Sequence, residues 1–401
     1  MADPAPQQPN PNLKFMHDLF RLMLTQKASD LFISDDFPPA MKINGKLTPM
    51  NSQKLTGAHT KAFANAIMND RQKAEFEAEL ECNFAISPEG IGRFRVNVFV
   101  QQEKVGMVIR TITTKIPNLD ELKLPPILKT IMMEKRGLVI LVGGTGSGKS
   151  TTLAAMLDHR NQNSYGHIIT IEDPVEYVHR NKNCLITHRE VGRDTNAWFS
   201  ALKNTLRQAP DVILIGEIRD KDTMEFAMNF AETGHLCMAT LHANNANQAI
   251  DRIINFFPEE RRAQLLMDLS LNMKAFISQR LIPIKNGNGR AAAIEILLNS
   301  PLISDLIFKG DVHAIKEVMT KSRELGMQTF DQALFDLAEE GKITQEEALR
   351  NADSLNELRL KFKLQGKSKP VHQETVELSL HMEEEPEEDS TEATEIKHQT
   401  T

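Results

Sequence analysis

The sequence predicts an α/β fold: a largely parallel sheet with intervening helices, preceded by a smaller α+β domain and followed by a helical region. Three observations predict it. The stretch "LVILVGGTGSGKSTTLAAML", residues 138–157, passes from an apolar run through glycines into a helical pattern. Beyond it, apolar runs such as "HIITIED" and "DVILIGE" alternate with helical segments, the order that a parallel sheet with crossover helices imposes. Before it, Phe94, Val96, Val98 and Val100 alternate with Arg93, Arg95, Asn97 and Gln101, the period of a half-buried antiparallel strand.

Taken in order, residues 1–12 are rich in Pro, Gln and Asn and read as a disordered lead-in. Order is expected from Leu13, with a helix placing Phe15, Leu19, Leu22 and Met23 on one face. "DLFIS" and "MKING" suggest strands with Gly45 in a hairpin turn, "GAHTKAFANAIM" a helix, and the alternating run from Gly92 and "KVGMVIRTI" two further strands. These complete an α+β domain over 13–115. "KIPNLDELKLPPIL" has three prolines and no sustained period, so 116–126 is expected to be a linker. The α/β domain covers 127–300: strand 138–143, helix 149–157, strand "HIITIED", helix "NAWFSALKNTLRQA", strand "DVILIGE", helix "DTMEFAMNFAETG" and strand "LCMATLH". "AIDRIINFFP" and "RRAQLLMDLSLNMKAFISQRLI" continue as helices, then comes a strand "AAAIEILL". Residues 301–365 form a helical region and 366–401 an acidic disordered tail.

Charge and composition narrow the function. The formal charge of −7 is carried by the tail, where ten Asp or Glu face Lys367, Lys369 and Lys397. The body is therefore near neutral and lacks the basic footprint of a nucleic-acid binder. Cys82, Cys184 and Cys237 are far apart and form no C-x-x-C pair, which argues against a disulfide framework or a tetracysteine zinc site. No apolar run reaches membrane-spanning length and the start does not resemble a signal peptide, so a cytoplasmic location is expected.

The chemistry begins at G-x-x-x-x-G-K-S between a strand and a helix. Gly143, Gly146 and Gly148 let backbone N–H groups curl around a polyphosphate, Lys149 reaches its terminal phosphates, and Ser150 offers a hydroxyl to Mg²⁺. The helix from Lys149 points its positive dipole end at the same place. Glu217 stands at the carboxyl end of the apolar run "VILI", where open parallel sheets bind their ligands, and is expected in the Mg²⁺ shell; a salt bridge to Arg219 is the plainer role. Glu172, Asp173 and Glu176 cluster where another strand ends, and mutual repulsion raises carboxyl pKa values, so one of the three suits proton acceptance from water. His235 and His242 bracket "LCMATL"; the latter, at the carboxyl end, is the better candidate to touch phosphate or a carboxylate. Arg93, Arg95 and Arg110 lie on neighbouring strands of the first domain and could close over a nucleotide across a subunit boundary.

"GGTGSGKSTT", "ITIEDPVEYVH", "DVILIGEIRD" and "ETGHLCMATLHANNANQAIDRIINFFP" resemble the Walker A, Asp, Walker B and His boxes of the secretion ATPases, nearest to the type IV pilus retraction ATPases of the PilT and PilU group. The resemblance implies a PAS-like N-terminal domain, a RecA-like ATPase core and a homohexamer at the inner face of the inner membrane. It also implies ATP and Mg²⁺ as ligands and a PilC-like platform protein and a PilT-like ATPase as partners; no nucleic acid is expected, given the near-neutral body. Carried over by position, Gly143, Gly144, Thr145, Gly146, Ser147, Gly148, Lys149, Ser150 and Thr151 hold nucleotide, Ser150 and Glu217 hold Mg²⁺, and Glu176 is the catalytic acid. His235 and His242 are the His-box residues, while Arg95 and Arg110 reach a neighbour's nucleotide. Gly144 replaces a usual proline, and "SPLISDLIFKGD" lacks the "AIRNL" pattern of PilT. That lack and the acidic tail resemble the PilU branch, a PilT-dependent accessory motor. A nucleotide-binding factor that scaffolds a PilT ring without turnover is the alternative.

Overall fold

The computed structural model describes residues 10–43, 45–112, 115–285, 287 and 289–366. The acidic run of 367–401 and the start of the lead-in lie outside the described residues. Helix α1 (Pro11–Thr25) begins two residues before the expected Leu13. Asn10 accepts the Asn12 N–H at 3.0 Å, and Pro11 stands at the first position, where a missing N–H costs nothing. Its buried stripe is Met16, Leu19, Phe20 and Met23, not the expected Phe15, Leu19, Leu22 and Met23. Both stripes have helical spacing, and the one closing over the sheet is chosen by packing, with Phe20 stacked on Phe94.

Strands β1 (Asp30–Ile33), β2 (Ala40–Ile43) and β3 (Lys46–Pro49) precede α2 (Gly57–Ile67), as expected. Helix α3 (Asp70–Glu79) and strand β4 (Glu81–Ile86) were not legible, because α3 buries no residue and so carries no apolar stripe. Strands β5 (Arg93–Gln101) and β6 (Lys104–Ile112) complete an antiparallel sheet of order β3-β2-β1-β6-β5-β4. Phe94, Val96 and Val98 face its core with Met107 and Ile109, under α1 and α2. Between the sheets, 116–126 has no helix or strand, as its prolines dictate, yet Leu119 and Leu124 are buried against the second sheet.

That second sheet follows α4 (Ile127–Met132). Its elements are β7 (Gly137–Val142), α5 (Lys149–Asn163), β8 (Gly166–Glu172), β9 (Cys184–Glu190), α6 (Trp198–Thr205), β10 (Val212–Ile215), α7 (Lys221–Glu232), β11 (Leu236–Leu241), α8 (Ala246–Asn255), α9 (Glu259–Asn272), β12 (Met273–Pro283) and β13 (Arg290–Leu298). The order is β13-β12-β7-β11-β10-β8-β9, parallel except for the β12–β13 pair. Leu138, Ile140 and Val142 enter one core and Val139 and Leu141 the other, so both faces of β7 are covered and the strand reads as unbroken apolar sequence. Two differences from expectation stand out. Strand β9 lies in a stretch whose polar content hid it, and β12 occupies the second half of the segment expected to be one long helix. There the chain inserts between β7 and β13, and pairing on both edges overrides the helical period of "MKAFISQRLIP".

Helices α10 (Pro301–Lys309), α11 (Val312–Lys321), α12 (Phe330–Glu339), α13 (Gln345–Arg350) and α14 (Leu355–Gln365) follow. Phe330, Leu334, Leu358 and Phe362 pack on Ile282 and Ala293 of β12 and β13. Among the described residues no helix is long and apolar enough to cross a membrane.

Candidate functional site

The carboxyl ends of β7, β11, β10 and β8 are adjacent in the sheet, and the four boxes follow those four ends. This is the edge where parallel sheets bind ligands. The cavity there has about 210 Å³ of interior space and is lined by Thr145, Gly146, Lys149, Ser150, Glu172, Asp173, Glu176, Tyr177, Trp198, Glu217, Arg219, Thr240 and His242, among others.

The loop at 143–148 takes its shape from glycine. Gly143, Gly146 and Gly148 have φ of 155°, 76° and 91°. At Gly148 a Cβ would also stand 2.6 Å from Gln279 Nε2 and displace that amide, while the positive φ is what calls for glycine. Gln279 in turn accepts the Thr152 hydroxyl at 2.7 Å, bracing the first turn of α5. Thr151 shares a hydrogen bond of 2.8 Å with the Tyr177 hydroxyl. Lys149 is only 8% exposed; its Nζ donates to the carbonyls of Gly143 and Gly144 at 2.8 and 2.9 Å. Burial lowers its pKa, while the carboxylates of Glu217 and Glu176 act to keep it charged.

Glu217 accepts from Arg219 Nε at 2.8 Å and stands 3.3 Å from His242 Nε2. The salt bridge weighed from sequence is present, and the carboxylate still lines the cavity. Burial first, then the charge of Lys149, lowers the pKa of His242, so a neutral imidazole can donate one hydrogen bond to Glu217. Glu172, Asp173 and Glu176 all line the cavity, but their surroundings differ. Burial pushes Glu172 up to about 7 against the relief of a hydrogen bond from Thr170 and the backbone of Glu176, with Glu176 and Glu190 adding repulsion.

Glu172 therefore makes a pH-dependent contribution to stability. Its folded pKa lies above its unfolded one, so the contribution is complete below about 4.5 and is lost as pH rises through about 7. Glu172→Gln is expected to gain on the parent between pH 5 and pH 8, by at most roughly 3 kcal/mol. Parallel denaturation curves for the two proteins across that range would contradict the shift.

Outside the glycine loop and α5, four of the sequence-derived residues, His235, Arg93, Arg95 and Arg110, do not line this cavity, and Arg93 is paired instead with Glu190 of its own chain. His235 sits at the opposite end of β11, about 20 Å along the strand, with its ring at the Phe230 carbonyl and Thr233 hydroxyl. A residue at the amino end of a parallel strand faces away from the ligand edge, so the structure gives His235 a capping role within this chain. Arg95 and Arg110 are directly opposed on β5 and β6 and exposed; Arg110 Nε donates to Asp30 at 2.8 Å. Like charges face each other there, and the Asp30 carboxylate offsets the charge of Arg110. Sequence reasoning missed Gln279, because β12 was read as helix, and Trp198, whose helix was expected but whose face toward the cavity was not.

The residues fit a nucleotide with Mg²⁺. The Ser147 hydroxyl is buried without a hydrogen-bond partner inside the glycine loop, a donor suited to phosphate oxygen. Ser150 and Glu217 offer hard oxygens, few in number, as suits an ion that keeps waters and substrate phosphates in its shell.

Residues 7–350 match the family described as type II/IV secretion system protein. The chain is 56% identical to the Type IV pilus ATPase PilU of Pseudomonas aeruginosa, covering 91% of this chain and 96% of that one. It is 43% identical to the Type IV pilus retractation ATPase PilT of the same organism, covering 84% and 97%. Among solved structures, the pilus retraction motor PilT with bound ADP superimposes with a TM-score of 0.80 at 36% identity, covering 85% of this chain and 98% of that one.

Proposed function

Because this chain belongs to the type II/IV secretion system protein family, in its PilT- and PilU-like branch, we propose that it is a Mg²⁺-dependent ATPase that drives type IV pilus retraction and twitching motility. The observation that carries the reading is the convergence of Lys149, Ser150, Glu176, Glu217 and His242 around one cavity. The loop amides and Lys149 bind the phosphates and orient the γ-phosphoryl group; Glu176 aligns and deprotonates the attacking water; His242 steadies the Glu217 carboxylate. Ser150 and Glu217 would hold a Mg²⁺ ion, which when bound would supply positive charge against the phosphate oxygens. Arg95 and Arg110 lie outside the cavity of their own chain, so a neighbouring subunit's pair completes the site. That arrangement is a homohexamer working at the inner face of the inner membrane against a PilC-like platform protein. PilU-like accessory action on a PilT-like ATPase fits the same relatives.

The rival reading, a nucleotide-gated scaffold without turnover, does not need the acids that surround the cavity. Steady-state phosphate release by the purified full chain separates the two, and no release with Mg-ATP favours the scaffold. Binding has its own readout, since Trp198 is the chain's one tryptophan and lines the cavity. Saturating Mg-ATP is expected to change the intrinsic tryptophan emission, and EDTA to shift the titration to higher nucleotide. An emission spectrum indifferent to millimolar nucleotide would count against the cavity as the binding site.

A further inference from the structure

We propose that Arg93 and Glu190 form a latch within the chain: positioning residues that hold the 173–176 turn, and Glu176 with it, in the geometry used for hydrolysis. The proposal rests on the ATPase reading above and adds two residues to it. Arg93 belongs to the antiparallel sheet and Glu190 to the edge strand β9 of the second sheet. Their side chains meet at 2.6 Å, Nη2 to Oε2, with 13% and 6% exposure. The same Oε2 accepts the backbone N–H of Val175 at 3.1 Å. The amide just before Glu176 is therefore held by a buried acid that is shared with the first domain.

The strand period makes this consequential. Arg93 and Arg95 are two residues apart and share one side of β5. One guanidinium is bound to Glu190 of its own chain, while the other stands exposed opposite Arg110. Docking Arg93 thus sets the aim of the two arginines that reach outward. The contact is also built to open. Arg93 engages through one nitrogen, and its Nε is buried without a partner, so the bidentate geometry of a permanent Arg–carboxylate bridge is absent. Arg193, half-exposed, waits 4.0 Å from the other Glu190 oxygen and can take up the carboxylate when Arg93 leaves. A first domain that swings away then loosens the Val175 amide and with it the water-orienting acid.

The test is steady-state ATP hydrolysis by the full chain carrying Arg93→Ala, Glu190→Gln, both changes, or Arg93→Lys, with Lys149→Ala run alongside. Arg93→Ala and Glu190→Gln are each expected to lower kcat about tenfold with KM within about twofold, because the turn and not the phosphate cradle is disturbed. The double variant is expected to match the singles, and Arg93→Lys to recover most of the rate. Losses that multiply in the double variant, or an Arg93→Ala enzyme at parental kcat, overturn the latch. If Glu190→Gln does not fold, Arg93→Ala decides alone. Lys149→Ala that still turns over means the ATPase reading has failed; a dead Lys149→Ala beside an unaffected Arg93→Ala means only the latch has.

Discussion

Lys149→Ala is expected to abolish measurable turnover, a loss of about 10²–10³-fold or more, while leaving the fold intact. Lys149 is the buried cation at the bottom of the phosphate loop, and its ammonium already bridges two loop carbonyls. Binding of a triphosphate exchanges those carbonyls for phosphate oxygens, so the desolvation of the charge is met before the ligand arrives. Burial lowers the lysine's pKa, yet Glu217 and Glu176 oppose that effect, and the charge survives to face the ligand. Alanine is a good helix former at this first turn of α5, so circular dichroism and melting temperature are expected to stay near the parent's. Phosphate release and the Trp198 emission are the two measurements. Parental hydrolysis by the alanine variant would remove the loop from the mechanism.

Glu176→Gln is the second large effect. A glutamine of the same shape keeps the hydrogen bonds of the turn but cannot take a proton, so kcat is expected to fall about 10²–10⁴-fold with nucleotide affinity retained. The competing acid is Glu172, whose pKa near 7 suits a general base on paper. Its surroundings argue otherwise, since its carboxylate is engaged by Thr170 and by the backbone of Glu176, and His188 Nδ1 stands 3.9 Å away. Glu176 is exposed at the cavity and sensed electrostatically by Lys149. Glu172→Gln is thus expected to cost less than about tenfold in kcat. Reversal of the two effects would move the water-orienting role from Glu176 to Glu172.

Much of this could be read before any coordinates. The glycine positions of the loop follow from backbone sterics, because curling successive N–H groups inward requires left-handed φ at Gly146 and Gly148. Glu217 and His242 follow from topology, because an apolar run that ends in a polar residue within an α/β pattern delivers that residue to the ligand edge. His235 shows the limit of such reasoning. It lies as close to its strand as His242 does, but at the amino end, and strand direction separates the two.

The sequence by itself determined the phosphate loop, the parallel core and the four boxes, since each is a local pattern of apolar period, glycine and charge whose physics acts over a few residues. Only the tertiary structure decided that Met273–Pro283 is a strand, that Gln279 braces the loop, and that Glu190 links Arg93 to the turn of Glu176. These depend on partners far along the chain, 127 residues in the case of Gln279 and Thr152. Local propensities differ by only about 1 kcal/mol per residue, and burial between two neighbouring strands outweighs them.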